Sequence, residues 1–151
     1  MKFFYWTILI ILALVFQGRL SILGIYPDLT ALMAYYAGIR YGETKGLLVG
    51  SLIGATQDIV SLYILGPNLL AKGAIGFLSA IFITGGIFRW TYLLGIIAVV
   101  IFTLIDNSIV FLSRSLFDKI PAPLSTALFI AIMQSILNAP AGIFIRPKHA
   151  D

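Results

Sequence analysis

Of the 151 residues, 60 % are hydrophobic and 11 % charged, less than half of the roughly 25 % charge usual in globular domains. This excludes a water-soluble fold and points to one integral membrane domain over residues 1–151. The ten basic residues give a net charge of +4 but stand singly, without the clustered basic face that nucleic acid requires as a partner; with no cysteine and one histidine, His149 in the polar tail, neither a metal site nor a cofactor can be assigned.

The apolar runs are continuous and lack the alternation of a barrel, so each satisfies its backbone hydrogen bonds internally as a helix. Charges, Gly and Pro divide them into about six spans of an all-α, polytopic transmembrane bundle. The first, Phe3 to Ile22, has the positive start and apolar middle of a signal peptide but no small-residue cleavage site; it reads as an uncleaved helix.

The second, Pro27 to Tyr41, reaches only about 22 Å at 1.5 Å per residue. It must thin the bilayer, extend into its flanks, or form a hairpin arm with the first, and discounting it leaves five spans. It opens on "YPDL". Pro27 suits a first helical turn and Asp28 complements the positive helix end, which gives both a local explanation.

The third span, Gly46 to Leu65, places Gly46, Gly50, Gly54 and Asp58 four residues apart. On a 3.6-residue helix these form one slowly winding stripe. A smooth stripe lets a neighbouring backbone approach, either within the protein's own bundle, the favoured reading, or on another membrane protein. Asp58 lies about 18 Å along this helix, where a charge costs about 2.5 to 3.5 kcal/mol and requires a partner. Lys72, near the start of the fourth span (Leu69 to Phe88), is the expected one, its long stem reaching down to the carboxylate.

The fifth span, Thr91 to Leu112, carries Asp106 and Asn107 at a similar depth. With Asp28 and Asp58 this gathers three carboxylates towards one leaflet and predicts a polar cavity facing outward. Paired carboxylates also serve glycosidases and proton relays. No nucleophile–base arrangement accompanies them, and hydrogen-bonded glue between helices is the expected role. The sixth span, Pro123 to Ile145, contains Gln134, Asn138 and Pro140, which predict an interhelical hydrogen-bonding patch and a kink. Tyr5, Trp6, Tyr26, Trp90 and Tyr92 stand near boundaries as interfacial anchors.

The connections "GETK", "GPN" and "RW" allow only antiparallel neighbours, and "SRSLFDKIPAP" has no room for a folded module. With both termini in the cytoplasm, Lys2, Arg40, Lys45, Arg89, Arg146 and Lys148 fall inside, against Arg19, Lys72, Arg114 and Lys119 outside. This bias follows the positive-inside rule.

Pro27-Asp28-Leu29 opening a span, Gly54 four residues before Asp58, then Gly66-Pro67 and Gly76-Phe77-Leu78 together resemble the MreD family of rod-shape-determining membrane proteins. The resemblance covers roughly the middle third of the chain. Asn68-Leu69-Leu70, where members often carry a glycine, and Lys72 depart from it. The resemblance implies a six-span protein of the bacterial inner membrane, similar in fold to the substrate-binding subunits of energy-coupling-factor importers. It implies no enzymatic activity and a place in the elongation complex with MreC, MreB, RodA and a penicillin-binding transpeptidase. On that reading the stripe from Gly46 to Asp58 is the expected contact surface for the MreC helix. A solute-binding subunit of a vitamin importer is the alternative, and a small membrane enzyme using Asp58 and Asp106 a third.

Overall fold

Helices occupy all six apolar runs. The computed structural model describes residues 2–17, 19, 24–62, 64–84, 90–117 and 123–147. Its helices are α1 (Lys2–Gln17), α2 (Leu29–Tyr41), α3 (Glu43–Ser61), α4 (Pro67–Thr84), α5 (Tyr92–Phe117) and α6 (Leu124–Asn138), with a closing 3₁₀ turn over Ala139–Ile143. No strand occurs among the described residues. Two stretches, Tyr92–Phe117 and Leu124–Ile143, are long and apolar enough to cross a membrane, and Pro67–Phe82 is apolar but shorter. The outer faces are apolar too: Leu48, Leu52, Ile59 and Val60 on α3 and Leu93, Leu112 and Leu116 on α5 are exposed.

Several boundaries differ from the sequence reading. "GETK" is not a loop: only Gly42 separates α2 from α3, and Glu43 opens α3. Gly42 turns the chain at φ +86°, a conformation that costs glycine least, and an acid in the first turn suits the helix dipole. Pro27 is not in the first helical turn but precedes Asp28, which is the N-cap of α2. α4 begins at Pro67 rather than Leu69, because proline lacks the amide that a first helical residue leaves unpaired. The expected kink at Pro140 takes the form of a change from α6 into the 3₁₀ turn.

α3 and α4 lie antiparallel, with their backbones almost touching. A Cβ on Gly46 would collide with the Gly76 carbonyl and the Gly38 Cα, and one on Gly50 or Gly54 with the carbonyls of Lys72 or Asn68. The smooth stripe is therefore consumed inside the bundle, as its favoured reading held, and α4 rather than an external partner covers it. Gly95 of α5 and Gly142 of the 3₁₀ turn make a second close crossing. Between these helices sits a core of Tyr35, Ile39, Ile53, Ile75, Val99 and Phe102, against which Ile10 and Ala13 of α1 pack.

The connection after α5, the basic residues Arg89, Lys119 and Lys148, and His149 lie outside the described residues, as do the side chains of Tyr5 and Trp6.

Candidate functional site

At the head of α2 the carboxylate of Asp28 takes the amide of Ala31 at 2.9 Å, the usual work of an N-cap. The hydroxyl of Thr30 lies 2.6 Å from Asp28 Oδ1 and 2.7 Å from Gln57 Oε1 on α3. A hydroxyl has one proton to give. Donation to the carboxylate, with the Gln57 amide turned to donate into Thr30, satisfies both neighbours. Thr30 thus links the cap of α2 to α3.

The other oxygen of Asp28 accepts from Lys72 at 2.9 Å, and the same ammonium donates to Asp106 Oδ2 of α5 at 2.7 Å. Asn68 Oδ1 lies 3.5 Å from it. Three donors of one ammonium therefore face three oxygens, from α2, α5 and α4 itself. Lys72 and Asp106 are each 1 % exposed and Asp28 is 5 % exposed. Burial of this depth is tolerated only where charges are paired and hydrogen-bonded. The expected partnership of Lys72 with Asp58 does not form; Lys72 joins the two other carboxylates.

Asp58 instead serves the amino-terminal end of α4. Its Oδ2 accepts the amides of Gly66 at 2.9 Å and Leu69 at 3.1 Å, and its Oδ1 those of Asn68, backbone at 3.2 Å and side chain at 2.7 Å. A helix start leaves its first amides without intrahelical acceptors. α4 starts as Gly66-Pro67, which offers no capping side chain, so the carboxylate of the preceding helix supplies the acceptors and meets the positive end of the dipole. Asn68 then joins Asp58 to Lys72, making one continuous polar thread through α2, α3, α4 and α5.

α6 closes the thread from below. Asn138, fully buried, donates to the Asp28 carbonyl at 3.3 Å and to Thr103 Oγ1 at 3.2 Å, and Gln134 donates to the Tyr26 carbonyl at 3.2 Å. These contacts are the interhelical patch that the sequence predicts, and they satisfy the non-helical backbone leading into α2.

The structure brings together Asp28, Lys72 and Asp106, with Asp58 attached through Asn68. Pro27 stands beside the cluster in the chain, immediately before Asp28. Asn107 is not a member: its amide donates to the Thr103 carbonyl of its own helix at 3.0 Å. The three carboxylates that predict an outward polar cavity are all buried. A cavity of about 280 Å³ between α4 and α5 is lined instead by Phe82, Leu94, Ile97, Ala98, Ile101, Phe102 and Ile105. At the start of α5, Arg146 stacks over the Tyr92 ring at 4.7 Å and donates to its hydroxyl.

Thr30, Gln57 and Thr103 are members that the sequence reading did not name, and Asn68 is one that it noted only as a departure from the family pattern. A threonine two residues after an acidic cap, and an asparagine in the first turn after Gly-Pro, are the signals that could have found two of them.

Comparison with protein-family models, curated proteins and solved structures finds no match.

Proposed function

We propose that the protein is a non-enzymatic scaffold of the bacterial cell-wall elongation complex, of the MreD kind. In this reading it holds the membrane helix of MreC and helps organise peptidoglycan synthesis alongside MreB, RodA and a penicillin-binding transpeptidase. All six helices then lie in the inner membrane as spans, with both termini in the cytoplasm and a fold similar to the substrate-binding subunits of energy-coupling-factor importers.

The observation that carries the reading is where the family-like segments lie. Pro27-Asp28-Leu29, Gly54 to Asp58, Gly66-Pro67 and Gly76 meet in one block of α2, α3 and α4. Within it the acids and the lysine spend their hydrogen bonds on one another and on helix ends. Groups tied up in this way hold helices together, and the faces left outside are apolar ones suited to lipid and to a partner's helix. With Gly46 to Asp58 covered by α4, the partner's helix must dock on another face.

The charge pattern supports the orientation more strongly once Lys72 is recognised as buried. Lys2, Arg40, Lys45, Arg89, Arg146 and Lys148 inside are then opposed only by Arg19, Arg114 and Lys119 outside.

Affinity purification from detergent-solubilised membranes tests the proposal. MreC should be recovered with the protein, and depletion should round the cells. Failure to recover MreC together with unchanged rod shape on depletion would count against it, and a vitamin retained through purification would favour the importer reading.

A further inference from the structure

Asp28, Lys72 and Asp106 set two carboxylates against one ammonium, so with all three ionised the buried group carries one negative charge too many. The surplus is located by hydrogen bonding. Both oxygens of Asp28 are occupied, by Thr30, the Ala31 amide and Lys72. Asp106 Oδ2 accepts from Lys72, whereas Asp106 Oδ1 is buried without a partner, as is Asn138 Oδ1 on the facing helix. Both are acceptors. What the site lacks is therefore a donor and one positive charge.

A metal ion fits poorly. No group of three acidic or histidine ligands occurs among the described residues, and the Lys72 ammonium, 2.7 Å from Asp106, would repel a second cation. We propose that the cluster binds one exchangeable proton, carried on Asp106 Oδ1. A hydronium ion of the surrounding water gives up the proton: its O–H bond breaks as the Asp106 Oδ1–H bond forms, and one neutral water molecule is left. The acid–lysine–acid group then becomes neutral, and Asp106 gains a donor for a neighbouring oxygen.

The surroundings agree with this assignment. The charged groups near the cluster are Asp28 from α2, Asp58 from α3, which is fully engaged by the head of α4, and Lys72 from α4; Arg40, Glu43 and Lys45 stand at the opposite ends of α2 and α3, roughly 18 Å or more along those helices from Asp28 and Asp58. On α5 the next charged group is Arg114, eight residues beyond Asp106 and so about 12 Å along the helix. α6 presents only the neutral Gln134 and Asn138. No second cation is therefore at hand to offset the surplus, and an unpaired buried charge is among the costliest features a fold can carry.

The inference is independent of the scaffold reading. It is tested on the full chain in lipid nanodiscs near neutral pH, labelled with carbon-13 at the aspartate carboxyls and followed by NMR. One protonated carboxyl is expected in the wild type and none in Asp106→Asn. Asp28→Asn provides a second route should Asp106→Asn fail to fold. Removing that charge leaves Lys72 and Asp106 balanced, so the protonated signal should vanish there as well. A wild-type spectrum in which every buried carboxyl is ionised would overturn the proposal, as would a protonated signal that persists in either folded variant.

Discussion

Asp58 accepts four hydrogen bonds, one from Gly66 just before α4 and three from the first turn of α4, and this sets what its replacement does. Asp58→Ala leaves the amides of Gly66, Asn68 and Leu69 without acceptors and should lower stability by about 2 kcal/mol. Asp58→Asn keeps one side-chain oxygen and should lose about half as much. Denaturant titration of the detergent-solubilised protein measures both; equal losses, or none in the alanine variant, would contradict the capping role. The sequence shows that Asp58 needs company at that depth, and from depth alone Lys72 is the obvious choice. It does not show which way each side chain points around its helix. The unpaired amides of the next helix, eight to eleven residues on, compete for the carboxylate and win by proximity. Lys72 is thereby released to Asp28 and Asp106, residues 44 and 34 positions away, a separation that single-sequence reading cannot bridge.

Between elements, the decisive quantity is how near the backbones come. The four-residue spacing of Gly46, Gly50 and Gly54 is legible in the sequence, and so is its consequence of a close neighbour. The identity of that neighbour is not, because a helix inside the bundle and a helix of another protein demand the same small residues. In the structure an added Cβ on Gly50 would meet the carbonyl group of Lys72, so no rotation of a flexible side chain could relieve the overlap. Gly50→Val should cost about 3 kcal/mol by prising α4 away and pulling Lys72 from its two carboxylates. Leu48→Val, at a position 58 % exposed on the same helix, should stay within about 0.5 kcal/mol of wild type. If the two variants unfold together, the stripe is not the packing surface. The same logic explains the misread "GETK". Short polar sequence marks a change of direction, but a single glycine at positive φ is enough to make one, and the three residues after it can already be helical.

Among the described residues, six α-helices follow from six apolar runs, whereas their arrangement rests on the polar thread that ties α2, α3, α4, α5 and α6 together. That thread also constrains topology. Asp28 opens α2, Asp58 lies near the end of α3 and Lys72 near the start of α4, so these ends share one side of the bundle. Arg40, Gly42 and Lys45, at the α2–α3 turn, lie on the other. In the proposed orientation the turn side faces the cytoplasm. The chain has no cysteine, so single-cysteine variants can be made in the natural sequence and reacted with a membrane-impermeant maleimide. Arg40→Cys and Lys45→Cys should label in inverted vesicles but not in intact spheroplasts. Leu62→Cys, at a position 93 % exposed beyond the end of α3, should show the reverse. Ser79→Cys, fully buried on α4, should label in neither until the protein is unfolded. Labelling of Arg40→Cys and Leu62→Cys from the same side would contradict the proposal that α3 crosses the membrane. A clean inversion of both would keep the bundle and reverse its orientation, placing the basic majority outside against the charge rule on which that orientation rests.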